Sequence, residues 1–170
     1  MDSKTSARHN ADLLERMLLD GRAEPTYLPL SLLEDITNCF CVDQEIGRGG
    51  FAVVYKGKVG KGMVAVKKLS NTFKLPEEKF HKEVECLTKA KHKNIVRFLG
   101  YCSETHGRIA NIDGKFVMAD TREWLLCFEY VPNGSLDKYI TGDIWHQNSS
   151  VGKSRSNRTY TVLVLSSWRY

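Results

Sequence analysis

The sequence has 170 residues, 25 Lys and Arg against 20 Asp and Glu, and 42% hydrophobic residues. That suits one globular domain with a sizeable core; it excludes wholesale disorder and is too short for two full-sized lobes. No apolar run approaches the ~20 residues of a membrane span, the opening MDSKTSARHNAD lacks the apolar core of a secretory signal, and five scattered cysteines fit reduced thiols rather than a disulfide frame or a zinc site. These features predict a soluble, cytoplasmic chain.

Charge is unevenly spread. Residues 1–40 hold 7 acids and 4 bases, residues 41–140 hold 12 and 17, and residues 141–170 hold one and four. No nucleic-acid-binding motif accompanies the basic excess, so a solvated surface is the favoured reading and nucleic acid is not an expected partner.

In chain order, Leu14, Met17 and Leu18 recur at helical spacing within residues 11–19, and Gly21 closes that helix. Pro25 and Pro29 interrupt regular structure. Ser31 and Glu34 form the pattern of a capping box ahead of a short helix with Leu32, Leu33, Ile36 and Phe40 on its apolar side. A strand over Val42–Ile46 leads into a glycine cluster, and Phe51–Tyr55 alternates as a second strand. Gly60-Lys61-Gly62 turns into a third, Met63–Leu69. Pro76 suits the first position of a helix whose early Glu77 and Glu78 complement its dipole. Ile95–Cys102 and Glu123–Val131 are two more strands, with a hairpin tip at Asn111-Ile112-Asp113-Gly114-Lys115.

Chemistry concentrates in three places. Gly47-Arg48-Gly49-Gly50-Phe51-Ala52-Val53-Val54 lies between two strands, which argues against a dinucleotide-binding turn, where a helix must open after the glycines. A glycine-rich hairpin lets backbone amides approach phosphate oxygens, although most such segments are merely turns. In the next strand, alternation puts Ala65, Lys67 and Leu69 on one face and Val64, Val66 and Lys68 on the other. Lys67 is thus either the ligand-facing cation of a cleft or an edge lysine reaching water. On the helix after Pro76, Phe80, Val84 and Leu87 form the buried stripe. Glu83 sits at its margin, where it meets the strand lysine or, partly exposed, pairs with a neighbour such as Lys79 or with nothing.

These residues resemble a known family. GRGGFAVVYKG, VAVKKL, FHKEVECLTKAKHKNIVRFLGYC and LLCFEYVPNGSLDKYI, in that order, are similar to the amino-terminal lobe of a eukaryotic protein kinase of the plant receptor-like Ser/Thr type, and LLEDITNCF resembles its helical lead-in. The resemblance covers about residues 30–141. It implies an α+β fold: an antiparallel five-stranded sheet with one packed helix, amino-terminal helices over residues 1–40, the lobe over 41–141 and a divergent, irregular tail over 142–170. It also implies that Gly47, Gly49, Gly50 and the backbone through Ala52 cover the phosphates of ATP. Ile46, Val54 and Ala65 would sandwich the adenine, and Lys67, held by Glu83, would pair with the phosphates. Phe128 would stand behind the base, Glu129–Val131 would form the hinge, and Asp137 would lie near the ribose. Ala52 departs from the pattern, which has a glycine there.

The family's catalytic loop with its Asp base, and the DFG Asp that holds magnesium, do not occur in these 170 residues. Loss of the base alone removes roughly 10²–10⁴-fold in rate. The expected activity is therefore weak ATP binding without phosphotransfer, with no catalytic residue and no metal ligand assigned. The alternative is a catalytically dead interaction module that competes with full-length kinases, and an exposed apolar lobe face would also draw regulators or chaperones.

Overall fold

In a computed structural model of the chain, the described residues are 3–70, 76–112 and 114–132. Asp113, Asp137 and the tail expected over 142–170 lie outside them.

The first helix, α1 (Ser3–Leu19), extends further toward the amino terminus than the periodic residues alone indicate and ends before Gly21 as expected. Leu14 and Met17 are buried and Leu18 is half-buried. A two-residue strand, β1 (Thr26–Tyr27), follows and runs parallel to β5 (Phe98–Ile112), pairing with Gly100 and Tyr101. Gly100 is required there, since a Cβ at this position would stand 2.2 Å from the Thr26 carbonyl oxygen.

The helix α2 (Leu30–Ile36) corrects the capping-box expectation. Its cap is Pro29, without a side-chain bond, and Ser31 lies exposed inside the first turn. The Leu30 amide instead donates to Glu104 Oε1 at 2.8 Å, so a residue 74 positions away satisfies that end of the helix. The strand expected at Val42–Ile46 is also corrected. A 3₁₀ turn occupies Val42–Gln44, with Val42 77% exposed and without a core to face, and β2 (Glu45–Arg48) starts three residues late.

The remaining elements follow the expected order: β3 (Ala52–Val59), β4 (Gly62–Leu69), α3 (Glu77–Lys89), β5 and β6 (Lys115–Glu129). Pro76 caps α3 from just outside its first turn. The sheet has six strands in the order β1-β5-β6-β4-β3-β2. Five are antiparallel neighbours, as expected, and parallel β1 is the addition, overlooked because two residues between prolines carry no period.

The sheet is covered on both faces. Leu14, Leu28, Leu30, Leu32, Leu33 and Ile36 pack on Val64, Val66, Leu125 and Cys127 of one face. Phe80, Val84 and Leu87 of α3 pack with Leu69, Trp124, Leu126 and Phe128 of the other. Cys102 and Cys127 belong to the first layer, and burial pushes both thiols up to about 12.

Candidate functional site

Strand register assembles the candidate site. Gly47 of β2 lies opposite Val54 of β3, Val54 opposite Lys67 of β4, and Lys67 opposite Leu126 of β6. One step along, Lys56, Ala65 and Phe128 form the next row. Directly opposed residues in antiparallel strands share a face, so Val54, Ala65, Lys67 and Phe128 all lie on the α3 side. Alternation along β4 therefore holds as expected, with Val64 and Val66 in the opposite layer.

The glycine segment forms the tip between β2 and β3. The Gly49 amide donates to the Ala52 carbonyl at 2.8 Å and the Ser70 amide to the Phe51 carbonyl at 2.8 Å, which ties the tip to the end of β4. None of Gly47, Gly49 and Gly50 has a positive φ. The tip stands in open space, since a Cβ at Gly50 would meet nothing within 4 Å. Ala52 is half-buried against the α3-side core. Ile46, on β2, is 46% exposed at the outer rim.

Lys67 decides the character of the site. Its side chain is only 4% exposed, and desolvation lowers its pKa from the ordinary 10.5, opposed by attraction to the Glu83 carboxylate. Glu83, half-buried on α3, is thus the acid whose charge reaches the strand lysine, while Glu78 and Glu85 face solvent. A buried ammonium compensated only in part is a ready partner for an anion.

Phe128 is buried against Phe98, ring centres 5.4 Å apart, and closes the back of this face. Beyond it, the Glu129 amide donates to the Arg97 carbonyl at 3.0 Å and the Tyr130 amide to the Met63 carbonyl at 3.4 Å. Val131 follows, half-buried, past the end of β6.

Two polar groups on the reverse face escaped the sequence reading. Lys68 pairs with Glu123 at 2.9 Å, Glu123 being 2% exposed. Arg97 accepts no simple surface role either: it donates to the Asp20 and Leu18 carbonyls at the end of α1, while its own amide donates to the Glu129 carboxylate at 2.9 Å. The legible signal was Lys68 itself, a charge alternating with Val64 and Val66, which demands a buried partner.

The buried lysine and the open glycine tip fit a polyphosphate. Among the described residues no group of three or more His, Cys, Asp or Glu is placed to hold a metal.

A sheet with one packed helix on this face, a glycine hairpin tip and a buried strand lysine within electrostatic reach of a helix glutamate resembles the small lobe of a kinase, and residues 40–170 match the protein kinase domain family. The chain belongs to the protein kinase family. Among its relatives in Arabidopsis thaliana, it is 32% identical over 158 residues to the L-type lectin-domain containing receptor kinase S.5, an alignment covering 93% of this chain and 21% of that protein. It is 39% identical over 109 residues to cysteine-rich receptor-like protein kinase 19, covering 64% and 14%. To a G-type lectin S-receptor-like serine/threonine-protein kinase it is 39% identical over 132 residues, covering 76% and 14%. The chain thus spans 14–21% of the length of these relatives. Among the described residues, no helix is long and apolar enough to cross a membrane.

Proposed function

We propose that this chain is the nucleotide-binding lobe of a receptor-like Ser/Thr kinase and that its 170 residues bind ATP without transferring phosphate. The observation that carries the reading is Lys67, a buried cation on the face shared by Val54, Ala65 and Glu83, one strand from the glycine tip. Here Lys67 pairs with the phosphates, Glu83 holds the ammonium toward them, and the tip from Gly47 through Gly50 to Ala52 covers them. The adenine lies between Ile46, Val54 and Ala65, in front of Phe128. Because the Glu129 and Tyr130 amides already serve the sheet, the amide that reads the base is that of Val131. Asp137 completes the ribose side. Magnesium would be carried chiefly by the phosphates themselves, as that ion commonly is.

The sequence offers no Asp base for the protein hydroxyl, so a bound nucleotide stays intact. Titration with a fluorescent N-methylanthraniloyl-ATP in magnesium buffer tests the binding. Removal of a charge-assisted phosphate contact in Lys67→Met should weaken affinity by about tenfold or more. Equal affinity of the two chains rejects the site, and transfer of labelled phosphate to a basic protein by the wild-type chain rejects the inactivity.

A further inference from the structure

The chain between α2 and β2 adopts a conformation that side chains resist. Asn38, Cys39 and Phe40 have φ of 52°, 54° and 56°, three consecutive non-glycine residues in the left-handed region. Such a run is unfavourable at each residue, most of all at a bulky one, and persists only where its surroundings enforce it. Here they do. The fully buried Thr37 hydroxyl donates to the Leu33 carbonyl at 2.6 Å and accepts from the Phe40 amide at 3.2 Å. The Cys39 amide donates to the Glu34 carbonyl at 2.7 Å.

The enforced turn aims one ring. Phe40 stands 5.4 Å from the Tyr55 ring of β3 and 4.4 Å from the Lys68 ammonium of β4, which is the ammonium paired with buried Glu123 of β6. A cation held between a ring and a carboxylate is fixed in two directions. Glu123 is directly opposite Glu104, the residue that caps α2 and accepts from Tyr27, so the extension grips this patch from both sides. Lys68 is also the sequence neighbour of Lys67, on the other face of the same strand. Any roll of β4 that frees Lys68 turns Lys67 away from Glu83.

We infer that the Thr37–Phe40 turn is a latch through which the amino-terminal extension sets the presentation of Lys67, with Phe40 and Lys68 as positioning residues for the nucleotide. The inference rests on the proposed nucleotide site, so two readouts are needed: affinity for N-methylanthraniloyl-ATP in magnesium, and amide exchange at Val66–Lys68 without nucleotide. The chief variant is Lys68→Met with Glu123→Met, which removes both charges of the pair together, and urea unfolding checks that it is folded. Affinity should nevertheless fall by about three- to thirtyfold, and exchange at β4 should accelerate by a similar factor. Phe40→Ala should act in the same direction, and Phe40→Tyr should restore both readouts.

A purely structural pair predicts unchanged affinity in a stable double variant, and that result overturns the positioning role. Unchanged exchange overturns the latch. If wild type and Lys67→Met bind the probe equally, the nucleotide reading fails separately, and exchange alone then decides whether the turn holds β4.

Discussion

The two faces of one sheet are built from different materials. The face under α1 and α2 is lined by Leu, Ile, Val and Cys, with Leu33, Val64, Val66 and Leu125 fully buried. The face under α3 is lined by Phe80, Phe98, Trp124 and Phe128, and it admits Lys67 into the same layer. Branched aliphatic side chains interdigitate closely and seal the first face around the Lys68–Glu123 ion pair. Aromatic rings pack at their own distances, with Phe80 and Trp124 centred 4.2 Å apart, and of the helix above them only Phe80 is fully buried. One face is therefore chiefly aliphatic, and the other is aromatic and buries a lysine.

The strongest way to break that contrast is to cut equal volumes from both sides. Leu33→Ala, at a position with no exposure, should cost about 2–5 kcal/mol because a cavity remains among closely packed neighbours. Leu87→Ala on α3, half-buried at the edge of the aromatic layer, should cost about 1 kcal/mol. Urea unfolding of both variants measures the difference. Equal losses would mean that α3 is packed as tightly as the extension and that the two faces do not differ in density.

The second test asks whether the α3 face holds its lysine at a cost. Desolvation lowers the Lys67 pKa, so the charged form is worse off in the fold than in the unfolded chain. Below the folded pKa that penalty is present in full. As pH rises through the lowered value toward 10.5, the unfolded chain binds more protons than the folded one, stability rises, and the penalty disappears. Lys67→Met, which removes that desolvation penalty, should accordingly be more stable than wild type near neutral pH. The gap between the two unfolding curves should narrow as pH climbs toward 10.5. A destabilised Met variant at neutral pH would show instead that Glu83 more than compensates the burial.

Much of this was legible in the sequence, and the reason is periodicity. Alternation in Val64–Leu69 assigned Lys67 and Lys68 to opposite faces, and helical spacing put Phe80, Val84 and Leu87 inward with Glu83 at the margin. What escaped is what has no local period. The strand β1 exists only because Gly100 lets the Thr26 carbonyl approach, and the start of α2 is satisfied by Glu104. The left-handed turn at Asn38–Phe40 is held by the buried Thr37 hydroxyl, a side chain whose burial depends on everything around it. In each case a long-range partner overrode the local signal.

The smallest effect sharpens the sealed face at its weakest sequence inference. If Ser31 capped α2, as its spacing to Glu34 suggests, replacing it with alanine should cost about 1 kcal/mol. With Pro29 at the cap and Ser31 exposed within the helix, Ser31→Ala should instead be neutral or stabilising by up to about 0.5 kcal/mol, since alanine is the better helix former. Glu104→Ala should cost more, about 1–2 kcal/mol, because it strips the acceptor from the part-buried Leu30 amide and from the Tyr27 hydroxyl together. Thermal unfolding of the two variants ranks them directly. The reverse order would return the cap to Ser31 and remove the link by which β5 fixes the extension against the sheet.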